Sequence, residues 1–244
     1  MQLVRAGHPH DPLLDAAVTH ALLRRVGAGE LGPVARVFRP GPTMAFGRLD
    51  ALAAGFERAQ AAATAHGYAP LVRLGGGHAA GYDEGSLLVE LIRPERTIAD
   101  GIEARFAGAT GLLVEALGAV GIAARVGELA GEYCAGAWSV NAAGVKLAGT
   151  AQRSIRGASL VTAMLIVEGG ARLRAALVDV YAALEIAWRP ETAGAAQDVR
   201  PGLRAADVER AVIATLANRE ALTAGALDAA TLALATELRG AHGG

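Results

Sequence analysis

The stretch Glu132-Tyr-Cys134-Ala-Gly-Ala-Trp-Ser-Val-Asn-Ala-Ala-Gly-Val-Lys146-Leu-Ala-Gly149-Thr-Ala-Gln-Arg153 contains the only cysteine and the only lysine of this 244-residue chain. The other members of the 23 lysines and arginines are all arginine, so the chain meets its need for surface charge without lysine. A lysine ammonium is compact enough to point at one oxygen. A thiol near an ammonium is biased toward the thiolate, which attacks carbonyl carbon. Cys134 and Lys146 are therefore the candidate catalytic residues.

Two simpler interpretations stay open for this pair. A single free cysteine is often a small buried hydrophobic residue. The scarcity of lysine also fits a chain biased toward Ala, Gly and Arg, in which case Lys146 has no chemical role.

Length and composition exclude several classes of protein. The length fits one large domain, or one domain with a modest appendage, with a full core. A balance of 23 basic and 24 acidic side chains provides no field for nucleic acid or an anionic membrane. One cysteine excludes an internal disulfide, and the absence of Cys-x-x-Cys or His-x-x-x-His spacing predicts no metal site. The first residues lack the pattern of a secretory signal, and the longest apolar run, near 159–167, is too short to span a membrane. We expect a cytoplasmic protein.

Hydrophobic periodicity predicts an α+β fold with a mixed β-sheet flanked by helices. A helix is predicted from Pro12 to Val26, with Asp11 as its N-cap. Asn141-Ala-Ala-Gly144 suits a β-hairpin turn, which places Lys146 on its second strand. Further helices are predicted at 48–66 and 100–120, and strands at 34–38, 86–92, 123–126, 138–140, 145–147 and 160–167. We expect a core of residues 1–170 and a helical C-terminal region, 171–244, packed on it.

Two segments rich in glycine predict the walls of one binding site. The run Arg73-Leu-Gly75-Gly76-Gly77-His78-Ala79-Ala-Gly-Tyr-Asp83 allows a ligand to approach the backbone closely. The run Lys146-Leu-Ala-Gly149-Thr150-Ala151-Gln-Arg153 directly follows the lysine with small residues. The first run matches no phosphate-loop or dinucleotide pattern, so the glycines alone predict no nucleotide.

Together these motifs resemble the biotin/lipoate protein ligase superfamily. The similarity rests on Arg-x-Gly-Gly-Gly, on Asp83-Glu-Gly-Ser-Leu and on Gly-x-Lys-Leu-Ala-Gly-Thr-Ala-Gln-Arg, and it spans roughly residues 30–170. The resemblance implies a sheet-and-helix core like that of class II aminoacyl-tRNA synthetases and biotin or lipoate ligases. It also implies that Lys146 contacts an acyl carbonyl or acyl-adenylate.

The octanoyl or lipoyl amidotransferase branch is the more similar one. Glu132-Tyr-Cys134-Ala-Gly136 resembles its cysteine segment, with Ala135 in place of proline. The resemblance implies that Cys134 receives the acyl chain as a thioester. The chain departs from the superfamily at Gly75, His78 and Tyr82, where a serine, a glycine and a histidine are typical.

The resemblance also implies a set of substrate contacts. Lys146 would stabilise the oxyanion with N–H groups near Gly76 or Gly149, while Leu71, Val89 and residues near Leu160 would line an acyl tunnel. We interpret His78 as a lining residue rather than a base. The expected substrate-binding residues are Arg73, Gly75, Gly76, Gly77, His78, Ala79, Asp83, Gly149, Thr150 and Ala151.

Three hypotheses for function follow. The first is a transferase that needs no cofactor and moves octanoyl or lipoyl groups through Cys134 to lysines of a lipoyl-domain or glycine-cleavage H-type protein. The second is a lipoate-protein ligase that uses ATP and Mg, with Cys134 incidental. The third is a non-catalytic lipoate or acyl-binding protein, suggested by the losses at Gly75 and Tyr82. We expect a monomer in each case.

Overall fold

The computed structural model describes residues 1–95 and 101–243. Within these residues the helices are α1 (Pro12–Gly27), α2 (Phe56–Ala65), α3 (Ile102–Ala119), α4 (Gly170–Ala183), α5 (Ala196–Val199), α6 (Ala205–Arg219) and α7 (Ala229–Leu238). The strands are β1 (Gln2–Val4), β2 (Val34–Phe38), β3 (Thr43–Phe46), β4 (Ala69–Val72), β5 (Ala80–Tyr82), β6 (Ser86–Glu95), β7 (Arg125–Val126), β8 (Val140–Ala142), β9 (Val145–Ile155), β10 (Gly157–Ile166) and β11 (Thr223–Ala224). None of the helices in these ranges has the length and apolar character needed to cross a bilayer.

The strands form two sheets. The large sheet has eight strands in the order β11-β1-β2-β6-β10-β9-β8-β7, and the small sheet has three in the order β4-β3-β5. The large sheet is mixed, since β1 runs parallel to β2 and β11 whereas β2, β6, β10 and β9 pair antiparallel. The predicted α+β fold with a mixed sheet flanked by helices is confirmed.

Strand alternation divides the core between the two faces of the large sheet. On one face Leu87, Val89 and Leu165 pack against α3 and α6. On the other face Leu88 and Met164 meet the small sheet, α2 and α4, and α1 and α7 cover the neighbouring part of the same face. A ligand slot between the sheets can therefore be lined by only every second residue of β6 and β10.

The elements predicted with clear end signals begin at the expected residues. Helix α1 begins at Pro12, and the Asp11 carboxylate caps it by accepting from the Leu14 N–H at 3.2 Å. Strand β2 covers Val34–Phe38 as predicted. The predicted strand 86–92 continues to Glu95, because Pro94 pairs with Ala158 rather than ending it.

Three predicted bounds were wrong. The single helix expected over 48–66 is a short 3₁₀ turn at Asp50–Leu52 followed by α2, because the Asp50 carboxylate folds back onto the Gly47 N–H at 2.9 Å. The hairpin turn contains two residues instead of four, since Ala142 already pairs with Val145. The predicted strand 123–126 is reduced to β7, and the predicted start of the helix at residue 100 lies outside the described residues.

The residues after 170 contribute to the whole core. All three hydrophobic clusters include members from this region, such as Leu216, Leu177 and Ala235. The division into a core of residues 1–170 and a helical C-terminal region, 171–244, packed on it stays a prediction.

Candidate active site

A buried carboxylate organises the loop that carries the cysteine. Glu132 is 4% exposed, and its Oε2 accepts the Leu129 N–H at 3.0 Å. Its Oε1 accepts the Gly136 N–H at 3.3 Å and the Ser139 hydroxyl. These bonds close the loop around Glu132, so Cys134 is held at a defined place between them.

Lys146 completes this arrangement from β9. Its ammonium donates to Glu132 Oε1 at 3.0 Å, to the Tyr133 carbonyl at 2.9 Å and to the Cys134 carbonyl at 2.8 Å. An ammonium has three N–H donors, so these acceptors use all of them. The expectation that Lys146 points at the thiol therefore needs correction. The buried Glu132 requires a cation. The Lys146 ammonium that pairs with it also donates to the backbone carbonyls of Tyr133 and Cys134.

The cation that does face the thiol is Arg73. Its Nη2 lies 3.6 Å from Cys134 Sγ. The same guanidinium donates to the carbonyls of Ala45 at 2.7 Å, Gly76 at 2.8 Å and His78 at 2.7 Å, which fixes it at the end of β4 and folds the glycine run around it. A fixed positive charge thus lies beside the sulfur.

The glycine run allows the sulfur to come close. A Cβ built on Gly77 would lie 2.7 Å from Cys134 Sγ and 2.9 Å from an Arg73 nitrogen, and Gly77 has φ +89°. A Cβ on Gly75 would lie 2.6 Å from Ala151 Cβ. No such contact is found for a Cβ on Gly76. Gly77 and Gly75 are therefore needed for close packing against the cysteine loop and β9.

A tyrosine from α4 joins the two loops. The Tyr181 hydroxyl accepts the Cys134 N–H at 2.7 Å and donates to the Ala79 carbonyl at 2.9 Å. Burial, and next the neighbouring Cys134, raise the pKa of Tyr181, so this hydroxyl stays a neutral bridge. Cys134 itself has φ 43°, a conformation that is uncommon outside glycine and that these contacts hold in place.

The thiol opens into a cavity of about 420 Å³ between the two sheets. Its wall includes Cys134, Lys146, Arg73, the three glycines 75–77, Gly149, Thr150 and Ala151. Apolar side chains form most of the rest, among them Leu71, Leu74, Leu88, Leu160 and Met164. Phe106 and Trp138 stack with centroids 5.8 Å apart and also line it. The structure therefore brings the predicted nucleophile and both glycine segments to one apolar slot.

Four predicted contacts lie away from the cavity wall. Val89 faces α3 and α6, because Leu88 and Glu90 take the cavity side of β6. Asp83 accepts the Gly85 N–H at 3.0 Å and pairs with Arg172 at 3.3 Å, so it holds a turn. The His78 side chain is 42% exposed. Ala79 contributes its carbonyl to Tyr181 and is otherwise buried.

Asp50 holds the His78 ring in place. Its buried carboxylate lies 2.7 Å from His78 Nδ1, and its other oxygen accepts the Gly47 N–H. His78 is thus fixed beside Gly77 at the outer side of the glycine run, next to the loop that touches the thiol.

A comparison with known families assigns the chain to one of them. Residues 11–193 match the lipoyl protein ligase A/B catalytic domain family. The chain belongs to this family. The resemblance inferred from the glycine and lysine motifs is thus confirmed.

Two curated relatives of this chain have the same protein name. The chain is 33% identical over 171 residues to an octanoyl-[GcvH]:protein N-octanoyltransferase of Geobacillus kaustophilus, covering 68% of this chain and 60% of the relative. It is 40% identical over 123 residues to the protein of that name from Exiguobacterium sibiricum, covering 49% and 44%. The chain thus spans less than two thirds of the length of these relatives.

Solved structures share the fold of this lipoyl ligase family member. A putative lipoate protein ligase from T. acidophilum superposes with a TM-score of 0.75 at 19% identity, covering 97% of this chain and 92% of that one. A lipoate-protein ligase A bound with ATP gives 0.74 at 19% identity, covering 98% and 94%. The predicted lipoate-ligase-like architecture is confirmed.

Sequence reasoning did not assign roles to Glu132, Tyr181 and Asp50. A glutamate two residues before the candidate nucleophile, and 14 residues before the only lysine, is a usable signal. Tyr181 and Asp50 gave none, because they lie 47 and 84 residues from Cys134 and only the tertiary fold brings them to its loops. In residues 1–95 and 101–243, no group of three or more His, Cys, Asp and Glu side chains is arranged to hold a metal ion.

Proposed function

We propose that this member of the lipoyl ligase family transfers octanoyl or lipoyl groups to lysines of lipoyl-domain proteins, and that Cys134 carries the acyl group as a thioester. The observation that carries the proposal is the position of Cys134 Sγ, beside Arg73 and open to an apolar cavity. Its relatives are named for transfer from octanoyl-GcvH to protein, and we propose that an acylated GcvH-type protein is the donor here, carrying either an octanoyl or a lipoyl group.

The reaction consists of two exchanges at one carbonyl carbon. In the first, Cys134 Sγ attacks the acyl carbonyl of the donor, an S–C bond forms, and the donor lysine leaves as an amine that takes up the thiol proton. In the second, the acceptor lysine attacks the thioester, an N–C bond forms, and the sulfur leaves and recovers a proton. Neither exchange changes oxidation state, and neither consumes ATP.

The protein's own groups have distinct roles in these exchanges. Arg73 lies where negative charge develops, on the attacking sulfur and on the oxyanion. Lys146 and Glu132 act as positioning residues by fixing the backbone on both sides of Cys134. The Cys134 N–H already donates to the Tyr181 hydroxyl, so the remaining oxyanion donors are expected from the glycine run near Gly76. Burial in the apolar cavity stabilises the bound acyl chain by about 0.8 kcal/mol per methylene.

The ligase alternative requires groups that hold ATP phosphates. Arg73, Lys146 and Arg153 are the lysine and arginine residues that line the cavity. Arg73 and Lys146 both donate to protein acceptors, and a phosphate beside them would have to displace these bonds, so the thiol end of the cavity fits ATP phosphates poorly. The non-catalytic alternative rests on the absence of the typical serine at Gly75 and of the typical histidine at Tyr82. Gly75, however, packs on Ala151, and this contact needs no serine.

Intact mass separates the three alternatives. The protein is mixed with octanoyl-GcvH, with or without an octanoyl-free lipoyl domain. We expect one octanoyl group on the protein, removed by neutral hydroxylamine and lost in Cys134→Ser; since the chain has a single cysteine, the site is unambiguous. A second arm supplies octanoate, ATP and Mg. Acylation of the lipoyl domain only in that arm, or by Cys134→Ser at the wild-type rate, would refute the proposal.

That the protein acts as a monomer in the cytoplasm and binds no nucleic acid stays a prediction.

A further inference from the structure

A polar row crosses the otherwise apolar sheet wall of the cavity. Antiparallel registers place Arg36 of β2 beside Glu90 of β6, and Glu90 beside Thr162 of β10. The rows on either side are apolar on the cavity face, with Leu88 and Met164 on one side and Leu160 on the other. Glu90 and Thr162 both line the cavity. An acyl chain lying along this wall must therefore pass a carboxyl group.

The groups around Glu90 leave one carboxylate in excess. The Arg36 guanidinium, fully buried, pairs with Asp15 and lies 3.7 Å from Glu90 Oε2. Thr19 Oγ1 lies 2.8 and 2.9 Å from the two oxygens of Glu90. One guanidinium thus faces two acids. Burial raises the pKa of Glu90 to about 7, against the opposing effects of Arg36 and Thr19, so the group keeps a proton to near neutral pH.

More polar side chains of the cavity come from the opposite side. Asp15 and Thr19 of α1, and Tyr82 and Thr43 of the small sheet, line the same part of the slot. Burial, and next the charge of Glu90, raise the pKa of Tyr82, which keeps its hydroxyl neutral. Beside the Asp15–Arg36 ion pair, this end of the cavity therefore presents the Glu90 carboxyl and the hydroxyls of Thr19, Thr43 and Tyr82 as hydrogen-bonding groups on facing walls.

The polar row lies at about the reach of an acyl chain. Lys146 Nζ is 2.8 Å from the Cys134 carbonyl and 3.9 Å from the position of a Gly149 Cβ, so Gly149 lies beneath the cysteine loop. Glu90 lies on the second strand from β9 in the sheet, two residues along that strand from the position opposite Gly149. At the usual strand spacing and rise, the distance between the two residues is roughly 12 Å. An extended eight-carbon chain has a comparable length, so its far end meets Glu90.

We propose that Glu90 selects acyl groups whose far end carries a hydrogen-bonding or polarisable atom over chains that end in a plain methyl group. The inference rests on the proposed function, because it assumes that the cavity holds the acyl chain. Thr19 Oγ1 carries one hydrogen for the two oxygens of Glu90, so a methyl end would leave part of the Glu90 carboxyl and the Thr162 hydroxyl without a ligand partner, and buried polar groups favour ligands that satisfy them. The disulfide ring of a lipoyl group and an oxygen-bearing chain both belong to the preferred class.

Binding of uncharged amides tests the preference without turnover. The full chain with Cys134→Ser is titrated with octanoyl N-methylamide and with 8-hydroxyoctanoyl N-methylamide, and fluorescence of Trp138 in the cavity wall reports binding. We expect the hydroxylated probe to bind more tightly. Glu90→Leu should shift the ratio of the two dissociation constants at least about tenfold toward the octanoyl probe, and Glu90→Gln should keep it within about threefold.

Matched variants separate selection from a structural role. Val89→Ala lies on the same strand but faces α3 and α6, so it should lower stability and leave the ratio unchanged. If Glu90→Leu does not fold, Thr162→Val removes a hydroxyl from the same row and should shift the ratio in the same direction. An unchanged ratio in folded Glu90→Leu or in Thr162→Val, or binding of neither probe, would overturn the inference. Acyl transfer through Cys134 with an unchanged ratio would leave the proposed function standing.

Discussion

The cavity has a buried acid and cation at each end, and the two clusters differ in charge balance. At the thiol end, one carboxylate, Glu132, meets one ammonium, Lys146. At the far end, Asp15 and Glu90 share the single guanidinium of Arg36. The first cluster is neutral with both groups ionised, whereas the second becomes neutral only when one acid keeps its proton.

This difference indicates two uses of buried charge. A matched pair whose remaining donors reach backbone carbonyls, as Lys146 does, fixes a loop. An unmatched acid remains chemically adjustable and can serve as a hydrogen-bonding surface for a ligand. The same protein thus holds its nucleophile rigidly at one end and presents a titratable wall at the other.

The largest expected effect comes from removing the cation of the matched cluster. Lys146→Met leaves Glu132 buried beside Ser139 and Gly136 without a counter-charge, which typically costs about 3 to 5 kcal/mol of the free energy of unfolding. Glu90→Gln should cost less than about 1 kcal/mol at pH 6, because it replaces a group that is already neutral. Urea unfolding followed by circular dichroism measures both. Equal losses in the two variants would contradict the distinction between the clusters.

The next effect concerns how closely the glycine run approaches the thiol. Gly77→Ala places a Cβ 2.7 Å from Cys134 Sγ at φ +89°, so the sulfur or the loop must move. We expect the rate of thioester formation to fall by about 100-fold, since displacing a reacting group by about 1 Å has effects of this size, with a stability loss of about 1 to 3 kcal/mol.

Gly76→Ala is the matched control for this prediction. The added Cβ has no heavy atom within 4 Å apart from its chain neighbours, so stability should change by less than about 0.5 kcal/mol. Mass spectrometry of the acylated protein over time measures the rate. Near-wild-type acylation by Gly77→Ala would show that the approach of Gly77 to Sγ is not required.

Much of the fold could be predicted from the sequence, and the elements that were missed or given wrong bounds have physical causes. The helix at Pro12 was predicted because its cap and proline act locally. The hairpin turn was predicted too long because Ala143 adopts φ 49°, a conformation rarely expected of alanine. Strand β1 has three residues, too few for an alternation pattern to be detected.

The site divides in the same way between local and tertiary information. Cys134, Lys146 and the glycine runs could be proposed from residue type and spacing, but the partner of the thiol could not. Arg73 is 61 residues from Cys134, whereas Lys146 is nearer in sequence and was therefore the expected neighbour. Glu90 did leave a signal, as the one charged residue within the apolar run 86–92.

The last expected effect is a dependence of stability on pH to which Glu90 contributes. The pKa of Glu90 is raised from 4.5 to about 7, so the folded state binds its proton more tightly than the unfolded state. This contribution is fully present below about pH 4.5 and is lost as the pH rises through 7. The melting temperature of the wild type, relative to that of Glu90→Gln, should therefore fall between pH 5 and pH 8. Other titrating groups are common to both proteins, so the difference isolates Glu90. A difference that stays flat over this range would mean that Glu90 is ionised throughout, and that the far end of the cavity holds a charge instead of a neutral hydrogen-bonding wall.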